Sequence, residues 1–150
     1  MNKNPHSAYF GVAWISRFIE KLCQFLHEKT GMETIVVRAA NIFGPYANFS
    51  PERSYFIPAI IKKATDKMDP FEVWGSPDVT RDVIYCEDFA KAILMMLDNE
   101  NTKFEIFNIG SGLKTTVDEV VTWALKYAGH KPSKINYDLS KPTTIKFRAI

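Results

Sequence analysis

The sequence predicts an α/β fold with some parallel sheet, on three observations. Stretches with apolar residues at three- and four-residue steps alternate with short β-branched runs. One of those runs, Thr34-Ile-Val-Val-Arg38, is apolar on both faces, as a strand inside a parallel sheet is. Boundary signals also sit where the periods change: Gly31 and Gly129 close helical stretches, and Thr116 with Glu119 opens one.

The elements follow in order. Ile15, Phe18, Ile19, Leu22, Phe25 and Leu26 form one apolar stripe, so a helix is predicted from about Ala8 to Lys29. The strand Thr34–Arg38 follows, then a loop over Asn41-Ile-Phe-Gly-Pro45, because Gly-Pro interrupts regular structure. A helix from Tyr55 to about Lys67 carries Pro58 near its start, where a missing N–H costs little. Phe71–Trp74 and Arg81–Tyr85 read as strands, and Asp88 as the N-cap of a helix over Phe89–Leu97. Phe104–Ile109 is a strand ended by Gly110-Ser-Gly112. The capping box at Thr116 opens a helix to about Ala128, and Ile135–Tyr137 is a last short strand.

Composition excludes several classes. With 46% hydrophobic residues the chain can bury a core, and bulk disorder is ruled out. No apolar run approaches the length of a membrane helix, and the first residues lack the apolar core of a signal peptide. Nineteen Lys and Arg stand against 17 Asp and Glu, interleaved, which is a mixed-charge surface and not a nucleic-acid footprint. Cys23 and Cys86 are far apart and form neither a disulfide framework nor a zinc motif, which points to free thiols in a reducing, cytoplasmic compartment. His6, His27 and His130 have no metal-ligand spacing.

The glycines never form Gly-x-Gly-x-x-Gly or a P-loop. Gly110-Ser-Gly112 is the nearest approach to a phosphate cradle, and a plain strand-to-helix turn is the better reading of it. Tyr127-Ala-Gly-His-Lys131 and Tyr137-Asp-Leu-Ser-Lys141 fit Tyr-x-x-x-Lys by chance, because neither offers a continuous helix face.

Six segments, in order, resemble one family. They are Ile35-Val-Val-Arg-Ala-Ala-Asn-Ile-Phe-Gly-Pro45, Phe56-Ile-Pro58, Val73-Trp-Gly75, Thr80-Arg-Asp-Val-Ile-Tyr85 with Glu87-Asp88, Phe107-Asn-Ile-Gly110, and Lys141-Pro142 with Arg148. Together they resemble the extended short-chain dehydrogenases/reductases, specifically the NAD-dependent nucleotide-sugar epimerases and dehydratases. The resemblance implies the C-terminal part of an NAD(P)-binding Rossmann-like sheet plus the small α/β substrate-binding domain. Residues 1–45 would belong to the Rossmann-like part and 46–150 mostly to the nucleotide-sugar region, with 80–100 returning to the Rossmann-like core. It also implies an internal fragment of a longer enzyme, truncated at both ends. NAD or NADP would serve the full-length protein, but this chain alone is not expected to bind it. The implied partner is a nucleotide diphosphate sugar, together with a second copy of the chain through homodimerisation or self-association.

The resemblance assigns roles residue by residue. In this family a helical Tyr is the general acid/base, and a Lys four residues on favours its phenolate. Aligned on Glu20-Lys-Leu22, those positions hold Val12 and Ser16, which cannot act as such a pair. Tyr9, one turn earlier, is the remaining catalytic candidate. On the substrate side Asn41 matches a position approaching the sugar nucleotide, or else it is a turn Asn bonding backbone. Arg81 matches the residue that contacts the diphosphate, or else it ion-pairs with Asp82 or Glu87. Arg148, or Lys146, supplies a second phosphate contact. Phe56 and Trp74 fall where the family packs the nucleotide base, and core packing is the alternative for both.

Overall fold

A computed structural model describes residues 4–50, 53–98, 103–141 and the backbone of 147–148. In chain order the elements are α1 (Phe10–Thr30), β1 (Thr34–Ala39), β2 (Asn41–Phe43), α2 (Phe56–Thr65), β3 (Phe71–Trp74), β4 (Thr80–Arg81), β5 (Val83–Tyr85), α3 (Cys86–Leu97), β6 (Phe104–Ile109), β7 (Thr115–Thr116), α4 (Val117–Ala128), β8 (Ile135–Asp138) and β9 (Phe147–Arg148). They fall into two compact units, Met1–Ala39 with Phe89–Ile109 and Ala40–Asp88 with Gly110–Ile150.

In the first unit β1 and β6 pair in parallel from Thr34↔Phe104 to Ala39↔Ile109, and α1 packs against both. Gly31 ends α1 in the left-handed region at φ 73°, where a side chain would be strained, and donates its N–H to His27 O at 2.8 Å. The apolar stripe of α1 is present, but it points away from the sheet. Ile15, Phe18, Ile19, Leu22 and Phe25 are 44–68% exposed, whereas Glu20 is buried and Arg17, Gln24 and His27 are half-buried.

The reason lies on β1. Arg38 sits half-buried on this short sheet and needs a partner, and Glu20 supplies it. The Glu20 carboxylate accepts Arg38 Nε and Nη2, both at 2.7 Å, and Arg17 Nη1 at 2.9 Å. A charge-assisted, two-pronged bond of this kind fixes which side of the helix meets the sheet. β1 itself is half-buried along its length, not fully enclosed, because among the described residues only β6 pairs with it.

The second unit holds the main core. Ile57, Ile60 and Ala64 of α2, Phe71 and Val73 of β3, Val79, and Val117, Val120, Val121 and Leu125 of α4 form one apolar cluster. The predicted capping box of α4 is present in both directions: Glu119 N donates to Thr116 Oγ1 at 3.1 Å, and Thr116 N to Glu119 Oε2 at 2.7 Å. Three small sheets surround this core: β2–β5 parallel, β3–β8 parallel, and β7–β4–β9, antiparallel on one side and parallel on the other.

Three boundaries differ from the sequence reading. Asn41–Phe43 is a strand and not a loop, because Val83–Tyr85 offers it a parallel edge. The predicted strand Arg81–Tyr85 breaks at Asp82, whose side chain turns inward. The helix after it starts at Cys86, so Asp88 lies inside the first turn, where its charge faces the helix dipole, and not at the cap.

Glu20→Gln keeps the side-chain shape but leaves two guanidiniums without a counter-charge. It is expected to destabilise the first unit by about 2 kcal/mol in urea unfolding. The Arg38 guanidinium, followed by that of Arg17, holds the Glu20 carboxyl near 2 against an ordinary 4.5. A carboxyl lowered in the folded state stabilises fully above about pH 5 and loses that contribution as pH falls toward 2. The Gln variant should lack this part of the acid dependence when melting is followed against pH.

Candidate functional site

Alternation along β3 sends Phe71 and Val73 into the core and Trp74 outward, 63% exposed. Two ammonium groups flank that ring. Lys63 Nζ, from the last turn of α2, lies 5.9 Å from the ring centroid, and Lys141 Nζ, just after β8, lies 5.4 Å from it. Lys63 also donates to Glu72 O at 2.8 Å, and burial pulls its ammonium below the ordinary lysine range while Glu72 opposes that. Lys141 follows a tight turn in which Ser140 N and Oγ donate to Asp138 Oδ1, bonds that lower the Asp138 carboxyl.

Arg81 lies on β4 between β7 and β9. In register it stands opposite Thr115 on one side and Arg148 on the other. The parallel β4–β9 pairing therefore sets the two predicted arginines at one sheet position, although the side chain of Arg148 lies outside the described residues. Arg81 Nη1 donates to Thr80 O at 2.7 Å.

Asp82, next in sequence, is 1% exposed. Its Oδ1 accepts Ser111 N and Ser111 Oγ, both at 2.8 Å, and its Oδ2 accepts Gly112 N at 3.1 Å. Its carbonyl accepts Asn41 Nδ2 at 2.8 Å and Asn41 N at 3.1 Å. The Asn41 side chain is thus bonded to backbone across the β2–β5 sheet. Phe56 packs against the core at the start of α2. Phe43 and Tyr85 meet edge to face at 5.6 Å and, with Phe49, Ile57, Pro58 and Ile61, line an apolar cavity of about 280 Å³.

Tyr9 belongs to the other unit. It ends a single 3₁₀ turn before α1, and its hydroxyl is buried. Ser16 Oγ, on α1, donates to Val12 O at 3.0 Å, the ordinary back-bond of a helical serine. The two chance Tyr-x-x-x-Lys matches are indeed apart from any such pair. Tyr127 is exposed beside Lys126, and Tyr137 donates to Asp118 Oδ1 at 2.5 Å, with burial and Asp118 raising its phenol.

Among the described residues the Gly110-Ser-Gly112 turn does not fit the phosphates of a dinucleotide. Those phosphates need free N–H groups in a Gly-rich turn, and the Ser111 and Gly112 N–H groups already point at the Asp82 carboxylate. Among the described residues there is no group of three or more His, Cys, Asp or Glu side chains able to hold a metal, and no helix long and apolar enough to cross a membrane. Both cysteines are free. The sequence reading missed Lys63 and Lys141 as neighbours of Trp74. No spacing rule links them, since one comes from a helix end and the other from a turn, and β3 lies between.

The described residues form an α/β arrangement with two ammonium groups near the exposed Trp74 ring. The chain belongs to the NAD dependent epimerase/dehydratase family, whose model matches residues 5–110. Probable GDP-L-fucose synthase 1 of Oryza sativa subsp. japonica is 30% identical over 143 residues, covering 92% of this chain and 42% of that protein. GDP-L-fucose synthase of Sinorhizobium fredii is 31% identical over 142 residues, covering 92% and 44%. In fold the chain matches UDP-glucose 4-epimerase from Thermotoga maritima with UDP-glucose (TM-score 0.80, 22% identity, 96% of this chain and 44% of that one). It also matches dTDP-glucose 4,6-dehydratase from Bacillus anthracis in complex with NAD (TM-score 0.76, 24% identity, 98% and 44%). The chain therefore spans less than half the length of the curated relatives it matches.

The Asp82 contact makes a sharp demand on Gly110. A Cβ there would lie 2.5 Å from Asp82 Oδ2 and 3.1 Å from Ala40 Cβ. Gly110→Ala is expected to destabilise the second unit by about 2 kcal/mol, measured by urea unfolding.

Proposed function

We propose that this chain carries the nucleotide-sugar side of an NAD-dependent epimerase/dehydratase-family enzyme, and that its ligand is a GDP-linked sugar. The observation that carries this is the β4–β9 register, which sets Arg81 and Arg148 at one sheet position. Two guanidinium forks suit the oxygens of a diphosphate, a dianion that a single lysine would hold less well. An exposed Trp74 with Lys63 and Lys141 against it suits a purine base followed by negative charge. The guanosine preference rests on the relatives, which include GDP-L-fucose synthases and a GDP-L-colitose synthase. In this reading the chain's own residues bind and orient: Trp74 stacks the base, and Arg81 and Arg148 hold the diphosphate.

A second reading is a non-catalytic binding or dimerising module of the same fold. It is favoured by Val12 and Ser16, neither of which titrates near neutral pH where the family resemblance asks for an acid/base pair.

The first reading and the binding form of the second share a ligand. GDP-mannose should raise the melting temperature, and NAD alone should not. Arg81→Ala should weaken GDP-mannose binding by about tenfold or more in calorimetric titration, the worth of a charge-assisted bond. A shift with NAD alone, or an Arg81→Ala variant that binds as tightly as the parent, overturns the proposal.

The uncovered arc of α1 also supports self-association, since apolar surface of that extent draws a partner. Light scattering across a concentration series should show a dimer or larger species, and Phe18→Ser with Leu22→Ser should shift it toward monomer. A parent chain that stays monomeric throughout counts against it.

A further inference from the structure

We propose that Asp82 is the positioning residue of the anion site: by gripping the Ser111–Gly112 turn it holds the two-residue strand that carries Arg81. The inference rests on the diphosphate reading above and adds the group that fixes its geometry.

β4 is only two residues long, and its neighbours β7 and β9 are equally short. Pairings of that length do not hold themselves in water. What surrounds Asp82 supplies the hold. Five hydrogen bonds end on this one residue, three on the carboxylate from Ser111 and Gly112 and two on the carbonyl from Asn41. They tie the start of β2 and the 110–112 turn to the residue directly after Arg81. The turn runs on into Thr115 of β7, which stands in register with Arg81. The chain from Asp82 through the turn and β7 back to β4 is therefore a closed ring of contacts around Arg81.

The chemistry requires a carboxylate. The turn offers two N–H groups and one hydroxyl, and an acceptor-only group at both oxygens satisfies them. The backbone also presses close enough at Gly110 that a Cβ would meet Oδ2 at 2.5 Å. Burial serves the anion site as well. A negative charge next to Arg81 would repel a diphosphate if it faced the ligand, but here it faces inward and is hydrogen-bonded. Arg81 is then preset, and ligand binding need not order its strand.

The test is a double-mutant cycle on the chain. Asp82→Asn places an amide NH₂ where N–H donors point, and is expected to weaken GDP-mannose binding by about tenfold. Combined with Arg81→Ala it should add little further loss, because it acts through Arg81. Fully additive losses overturn the proposal, since a general loss of structure does not depend on Arg81. Ser111→Ala, a milder cut that keeps the carboxylate, should weaken binding by about threefold through the same residue.

A ligand-free arm follows amide hydrogen exchange. Exchange across Thr80–Arg81 and Thr115–Thr116 should quicken at least about tenfold in Asp82→Asn while the α4 amides stay protected. Unchanged exchange at β4 and β7 also overturns it. If the parent chain binds no GDP-mannose, the diphosphate reading fails, and the exchange arm alone decides whether Asp82 clamps the strand.

Discussion

A carboxylate removed from water must be given donors, and the second unit is arranged around that demand at Asp82. The demand breaks the strand between Arg81 and Val83, draws in the Gly110–Gly112 turn and excludes a side chain at Gly110. The main-chain carbonyl of the same residue accepts Asn41 Nδ2 and Asn41 N. The apolar core of α2, β3 and α4 supplies most of the stability, but it would tolerate several arrangements of the short strands above it. The polar network selects one.

The same rule orients the first unit. Burying the apolar arc of α1 against β1 and β6 would have left Arg38 without a counter-charge. The helix instead turns its polar side inward, so that Glu20 accepts Arg38 in a two-pronged bond and Arg17 beside it. The consequence is a stripe of Ile15, Phe18, Ile19, Leu22 and Phe25 facing out. That contiguous surface is larger than scattered exposed leucines, and the proposed self-association rests on it.

The family match, residues 5–110, runs through both units. In the second unit two ammonium groups lie near the exposed Trp74 ring, and, on a separate sheet, the β4–β9 register sets Arg81 opposite Arg148. On α1 Ser16 is bonded back to Val12 O, and the Gly110–Gly112 turn is filled by the protein's own carboxylate.

Much of this was legible in the sequence. The α/β class, the α4 capping box, the Gly31 and Gly129 stops and the strands Phe71–Trp74 and Phe104–Ile109 follow from spacing and turn chemistry, which act over a few residues. Six ordered segments were enough to point to the family. The side of α1 that is buried was not legible, because its stripe is the same whichever way it faces, and Arg38 settles the question from 18 residues away. Nor was the company of Trp74 and Arg81. Lys63, Lys141, β7 and β9 reach them from distant stretches, and Asp82 is a plain strand residue until Ser111 and Gly112 arrive from about thirty residues on. Sequence determined which local elements form, since those depend on neighbours along the chain. Tertiary structure decided which charges are buried and which cations gather, because that depends on donors and acceptors brought together only by folding.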